Sequence, residues 1–154
     1  MKKKVRVPSD KLPKYLGLMI LALMIGVFFI VGIGVFMLYY DYPVTEFNND
    51  PFPVVNDVIK QGEELQYRVD YCRPNDAKVV VIREMVDGVV FTFPSIESRF
   101  EKGCHNVTVA RLEIPHYIPE GTYTLRLILY YEVNPIRTIV KEVSTQPFTV
   151  VSEK

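Results

Sequence analysis

Two patterns of hydrophobic and polar positions divide the chain. Leu16 to Leu38 (LGLMILALMIGVFFIVGIGVFML) holds 23 residues without a charged side chain. Beyond residue 53 the apolar residues come in short alternating runs. Leu65, Tyr67, Val69 and Tyr71 face one way and Gln66, Arg68 and Asp70 the other, as in a half-buried strand. Lys78–Val86 and Val89–Phe93 flank Asp87-Gly88, a hairpin signal because a two-residue turn needs positive φ. Val107–Ile114 is another strand. Thr122–Val133 is the longest, with Tyr123, Leu125, Leu127, Leu129, Tyr131 and Val133 in phase. Arg137–Val143 and Pro147–Val151 follow as one bent strand or two, and Pro53–Ile59 is a weaker edge candidate.

As a helix the apolar run would be about 34 Å long, enough for a hydrocarbon core of about 30 Å. A buried helix of a small soluble domain would be shorter and polar on one side. A secretory signal has a shorter apolar region followed by small residues at the cleavage site. Here Phe36-Met37-Leu38-Tyr39-Tyr40-Asp41-Tyr42-Pro43 stands in that place. The reading is an uncleaved signal-anchor. Tyr15 at one end and Tyr39, Tyr40 and Tyr42 at the other suit the two membrane–water interfaces. Ala22 and Gly26, with Gly32 and Gly34 beyond, allow close packing of a second helix and hence a homo-oligomer. Gly is also common in membrane helices without that role.

Charge adds orientation. The chain of 154 residues has zero formal net charge. Lys2, Lys3, Lys4, Arg6, Lys11 and Lys14 nevertheless precede the run, with Asp10 their only acidic neighbour. Basic flanks stay in the cytoplasm, so the arm is expected inside and residues 41–154 outside. Its place against an apolar segment makes the lipid bilayer its expected partner, not nucleic acid. The expected layout is a cytoplasmic basic arm (1–14), a transmembrane helix (15–40), a linker (41–52, with Pro43, Pro51 and Asn48-Asn49-Asp50) and a β domain (53–154).

About seven strands with turns between them, and no helical period after residue 40, predict an all-β body. Parallel sheets need long crossovers that do not fit here, so two packed antiparallel sheets are expected. Pro119-Glu120-Gly121-Thr122-Tyr123-Thr124-Leu125 resembles the loop-to-strand step of immunoglobulin-like and fibronectin-type domains. The resemblance covers residues 53–151 and implies an Ig-like antiparallel β-sandwich in which Tyr123 forms the tyrosine corner, its hydroxyl bonding to backbone near Tyr117 or Ile118. The antibody-type Cys-Trp-Cys hallmark is absent: the chain has no Trp, and Leu125 stands where the second Cys would. In general look, and not by any motif, a membrane-anchored Ig-like domain of this size also resembles small accessory proteins of bacteriophages.

That layout implies more. Cys72 would end one strand and Cys104 precede its antiparallel neighbour, so a disulfide is expected if the domain lies outside, and two free thiols if the orientation is reversed. His105 and His116 are the only histidines, and with two distant cysteines they lack the spacing of a zinc site. No nucleophile elbow, phosphate loop or calcium loop appears, so neither an enzyme nor a cofactor is expected. Asn106-Val107-Thr108 is a glycosylation sequon, meaningful only in a glycosylating host. Arg126, Ile128 and Tyr130 share the outward face of the longest strand. With Phe91 and Phe93 of the hairpin they form either an exposed patch for another protein or a face covered by neighbouring segments.

The leading expectation is therefore a single-pass membrane protein displaying an Ig-like binding or structural module outside the cytoplasm. The alternatives are a membrane-active or assembly protein, such as a phage lysis or envelope component, whose helix oligomerises, and a pilin-like filament subunit. The last lacks the Phe-Thr-Leu-Ile-Glu start, and Pro43 opposes a helix that continues into the head.

Overall fold

A computed structural model describes residues 12–40, 42–75, 78–97 and 101–152. Lys2, Lys3, Lys4, Arg6 and Lys11 of the basic arm lie outside the described residues. The chain forms two units that divide after Asp41.

The first unit is helix α1, Leu12–Tyr39. Its segment Tyr15–Tyr39 is 25 residues long and apolar enough to cross a membrane. A helix suits this composition because it satisfies every internal backbone group without water. Phe36 accepts a last hydrogen bond from the Tyr40 amide (2.9 Å), and the helix stops short of Pro43.

The second unit is a two-sheet sandwich with nine strands among the described residues. The small sheet has the order β1 (Glu46–Phe47), β3 (Glu64–Arg73), β6 (Gly103–Glu113). The large sheet has the order β2 (Val58–Lys60), β9 (Phe148–Val151), β7 (Gly121–Asn134), β4 (Val79–Asp87), β5 (Val89–Glu97), and β8 (Arg137–Ser144) also pairs with β7. Each of β3→β4, β5→β6 and β6→β7 passes from one sheet to the other. That is the connectivity of an Ig-like sandwich, with β7 as the penultimate-strand equivalent.

The core follows from the period of two. Leu65, Tyr67, Val69 and Tyr71 of β3 are buried against Tyr123, Leu125, Leu127, Leu129 and Tyr131 of β7, and Phe52, Ile114, Ile118 and Phe148 complete the packing. The two final segments form one edge of β7. Residues 126–134 pair with β8 and 121–123 with β9. At the kink between them Thr145 replaces the ladder. Its amide donates to the Leu125 carbonyl (2.9 Å), and its hydroxyl accepts from the Leu125 amide (3.0 Å).

Four features depart from the sequence expectation. The segment 41–52, read as a linker, belongs largely to the sandwich. Thr45 is buried, Glu46 and Phe47 pair with Cys72 and Tyr71, and Phe52 is fully enclosed. Lys141 of β8 holds this segment by donating to the Thr45 carbonyl (2.9 Å), with its ammonium over the Phe47 ring. Pro and Asn mark turns here, but the apolar residues between them find partners only in the folded chain. Secondly, one strand pair is parallel. Val58–Lys60 runs beside Thr149–Val151, and the whole domain serves as its crossover. The Phe52–Lys60 stretch bridges Val54 to Tyr67 in the small sheet before reaching β9 in the large one. Thirdly, the hairpin reverses on Gly88 alone (φ 65°), with Asp87 opposite Val89. Fourthly, β5 runs on to Glu97 through a bulge in which Phe93 pairs with Arg83 and Ile96 with Val81. The residues between, Pro94 and Ser95, sit on an edge strand, where a proline costs no ladder bond.

Candidate functional site

The outward face of the large sheet is ordered by register. Val80, Tyr130 and Val140 form one cross-strand row, and Ile82, Ile128 and Glu142 the next. Glu84 and Arg126 start a third row beside them, ending at Ser144. Opposed side chains of one antiparallel face are about 5 Å apart, close enough to touch. The result is an apolar strip of Val80, Tyr130, Val140, Ile82 and Ile128 next to an ion-pair group. Arg126 Nε donates to Glu84 Oε2 (3.0 Å), and its Nη1 lies 3.6 Å from Glu142 Oε1. Val140 is the most open member, 54% exposed, whereas Ile128 and Tyr130 are half-buried by their neighbours. Phe91 and Phe93 do not join this strip. Phe93 is buried, and Phe91 packs against the core with its ring 6.1 Å from Tyr123. Val86 and Val90 stand on the outward side instead. The hairpin residues had no contrast between their faces in the sequence, because Val89–Phe93 is apolar or Thr throughout.

Cys72 and Cys104 form a disulfide. They are direct cross-strand partners in β3 and β6, with Cα atoms 4.0 Å apart. Tyr71 and Arg73 on either side of Cys72 are buried, so the bridge lies on the outer side of the small sheet. It closes the chain around the β4–β5 excursion into the other sheet. Tyr123, near the start of β7, is 3% exposed, and its hydroxyl donates to the Pro119 carbonyl (3.0 Å). The bond is to Pro119, one residue nearer than Ile118.

The other residues singled out in the sequence are scattered. His105 is half-buried, stacks on Tyr71 (5.1 Å between centroids) and has Nε2 3.2 Å from the Lys102 carbonyl. His116 is exposed on the turn after Ile114 and lies against Gly62, whose φ of 83° and lack of a Cβ leave room for the ring. Asn106 is exposed in β6, where two residues stand against Asp70 alone. Among the described residues no three His, Cys, Asp or Glu side chains converge as ligands for a metal. In α1, Tyr15 and Tyr39 are exposed, as is Tyr40 just beyond it; Tyr42, in the second unit, is half-buried, and Lys14 lies in the first turns of the helix.

No family model matches the chain. No curated protein matches it either. Among solved structures the chain is similar to the CARDB domain of a Pyrococcus furiosus protein, crystallised in complex with di-metal ions. Identity is 14% and the TM-score 0.35, over 72% of this chain and 95% of that one. None of these comparisons supports the resemblance to bacteriophage accessory proteins.

Proposed function

We propose that the protein is a single-pass membrane protein that keeps its N-terminus in the cytoplasm and displays an Ig-like sandwich on the other side as a protein-binding module. The observation that carries this reading is the disulfide in the unit after the apolar helix. Disulfides persist in oxidising compartments and are rare in the cytosol. The basic arm before the helix argues for the same orientation. The strip of Val80, Ile82, Ile128, Tyr130 and Val140, with Arg126 and its carboxylates alongside, is the contact face. Its mixture of apolar centre and charged margin is that of a protein interface.

Two measurements test this. A reporter enzyme active only outside the cytoplasm, fused after Lys154, is expected to be active with the full-length protein in the membrane fraction. An inactive reporter overturns the orientation. A photo-crosslinking residue at Tyr130 is expected to join a discrete partner in cells, whereas the same residue at Val109, exposed on the small sheet, joins none. Equal behaviour at both positions removes the contact face.

A further inference from the structure

Sandwich cores are closed by apolar side chains from both sheets, and here the closure is incomplete. A cavity of about 130 Å³ lies between the sheets. Tyr67, Val69 and Ala110 line it from the small sheet, and Val81, Leu127 and Leu129 from the large one. It borders Ile96 of β5 and Arg111 of β6. These strands belong to different sheets and do not pair, so this side of the sandwich has no ladder across it. Ile96 is 43% exposed and the Arg111 side chain 63% exposed, which makes this the mouth.

One wall carries a positive charge. Arg83 of β4 is in phase with Val79, Val81 and Met85, so it projects inward and lines the cavity. One terminal nitrogen donates to the Pro94 carbonyl at the β5 bulge (3.1 Å). Its Nε is buried and has no hydrogen-bond partner. Among the described residues no carboxylate forms an ion pair with it. A guanidinium left partly unsatisfied in an apolar site costs stability, whereas a bound anion would satisfy it. Tyr67 belongs to the same lining. Burial pushes its pKa up to about 12, with the Arg83 charge pulling the other way, so it stays a neutral donor.

We propose that this cavity binds a small carboxylate with an apolar body, its anionic end against Arg83 and Tyr67 and its body against Val81, Leu127 and Leu129. The volume limits the size. An apolar cavity of about 150 Å³ holds a benzene ring, so at about 130 Å³ the body is at most one aromatic ring or a short alkyl chain extending into the mouth, not a lipid acyl chain. Inorganic anions lack the apolar part, and neutral aromatics lack the charge. This site is independent of the outward face of the same sheet, since Arg83 and Arg126 project to opposite sides.

The test uses the full chain in nanodiscs of neutral lipid, with 4-fluorobenzoate followed by fluorine NMR. Saturable binding is expected, at least tenfold tighter than for 4-fluorobenzamide. Arg83→Met should abolish the preference for the carboxylate while leaving the unliganded protein no less heat-stable, since it removes a half-buried guanidinium whose Nε has no partner. Ala110→Phe, which keeps Arg83 and fills the cavity, should abolish binding of both compounds. Absence of saturable binding to the wild type, equal binding of acid and amide, or full binding by either variant overturns the proposal.

Discussion

The two sheets of the sandwich are held together by different means. The large sheet is organised around β7, fourteen residues paired along both edges, whose inward side chains are almost fully enclosed. The small sheet has three strands, one of only two residues, and its outer edge β6 leaves Asn106 and Val109 exposed. So narrow a sheet buries few side chains beyond the inward face of β3 and Leu112 of β6. The Cys72–Cys104 bridge lies on its outer side, where it adds nothing to the core and ties the edge strand to its neighbour. Packing holds one layer; packing plus a covalent tie holds the other.

Perturbations of each layer sharpen this contrast, read by urea unfolding of the full chain in detergent micelles through tyrosine near-ultraviolet dichroism. Leu125→Ala, at a position with no exposure in the middle of β7, should have the largest effect, about 3–5 kcal/mol. Against a domain stability of about 5–15 kcal/mol it brings the whole sandwich close to unfolding. A loss under about 1 kcal/mol would mean that β7 is not the centre of the fold.

Replacing both cysteines by Ser should cost about 3–4 kcal/mol, given the sequence separation of 32. Amide exchange should then quicken in β6 well before it does in β7. Uniform acceleration in both sheets would erase the distinction between them.

Alkaline unfolding tests the interior of the small sheet. The Tyr67 phenol is raised from about 10 to about 12, mainly by burial. A raised folded pKa gives stability that is complete below pH 10 and lost as pH climbs from 10 towards 12. The loss is on the order of a few kcal/mol for this residue. Tyr67→Phe should lack that part of the slope, so its stability relative to the wild type should rise between pH 9 and pH 11. Parallel stability curves would show that Tyr67 ionises freely in the folded state.

The smallest effects compare the two faces of β7. Tyr123→Phe deletes one hydroxyl and leaves the Pro119 carbonyl without its donor, costing about 1–3 kcal/mol. Tyr130→Phe, on the outward face, should stay within about 0.5 kcal/mol. Equal costs would say that the corner bond carries no stability.

Alternation along single strands was legible in the sequence. Leu65, Tyr67, Val69 and Tyr71, and Tyr123 through Tyr131, stand inside as their period of two requires, because each strand has one apolar and one mostly polar face. The apolar character of α1 was equally plain, since it depends on composition alone. So was the pairing of the cysteine strands, once an Ig-like order was assumed.

Where a segment lacked contrast between its faces, only the tertiary structure decided. KVVVIREMV is apolar on both sides, and nothing local shows that Arg83 turns in while Ile82 turns out. That choice comes from pairing with Leu127 and Ile128 across the sheet. Phe91 and Phe93 turn inward for the same reason, through their register with Met85 and Arg83. Thr45 and Phe52 leave the expected linker because Lys141 and Tyr67, far along the chain, offer them a hydrogen bond and a stacked ring. The parallel pairing of β2 with β9 joins residues some ninety positions apart. Local sequence sets a strand's period; the energy that selects its face and its neighbours comes from contacts that exist only once the two sheets have met.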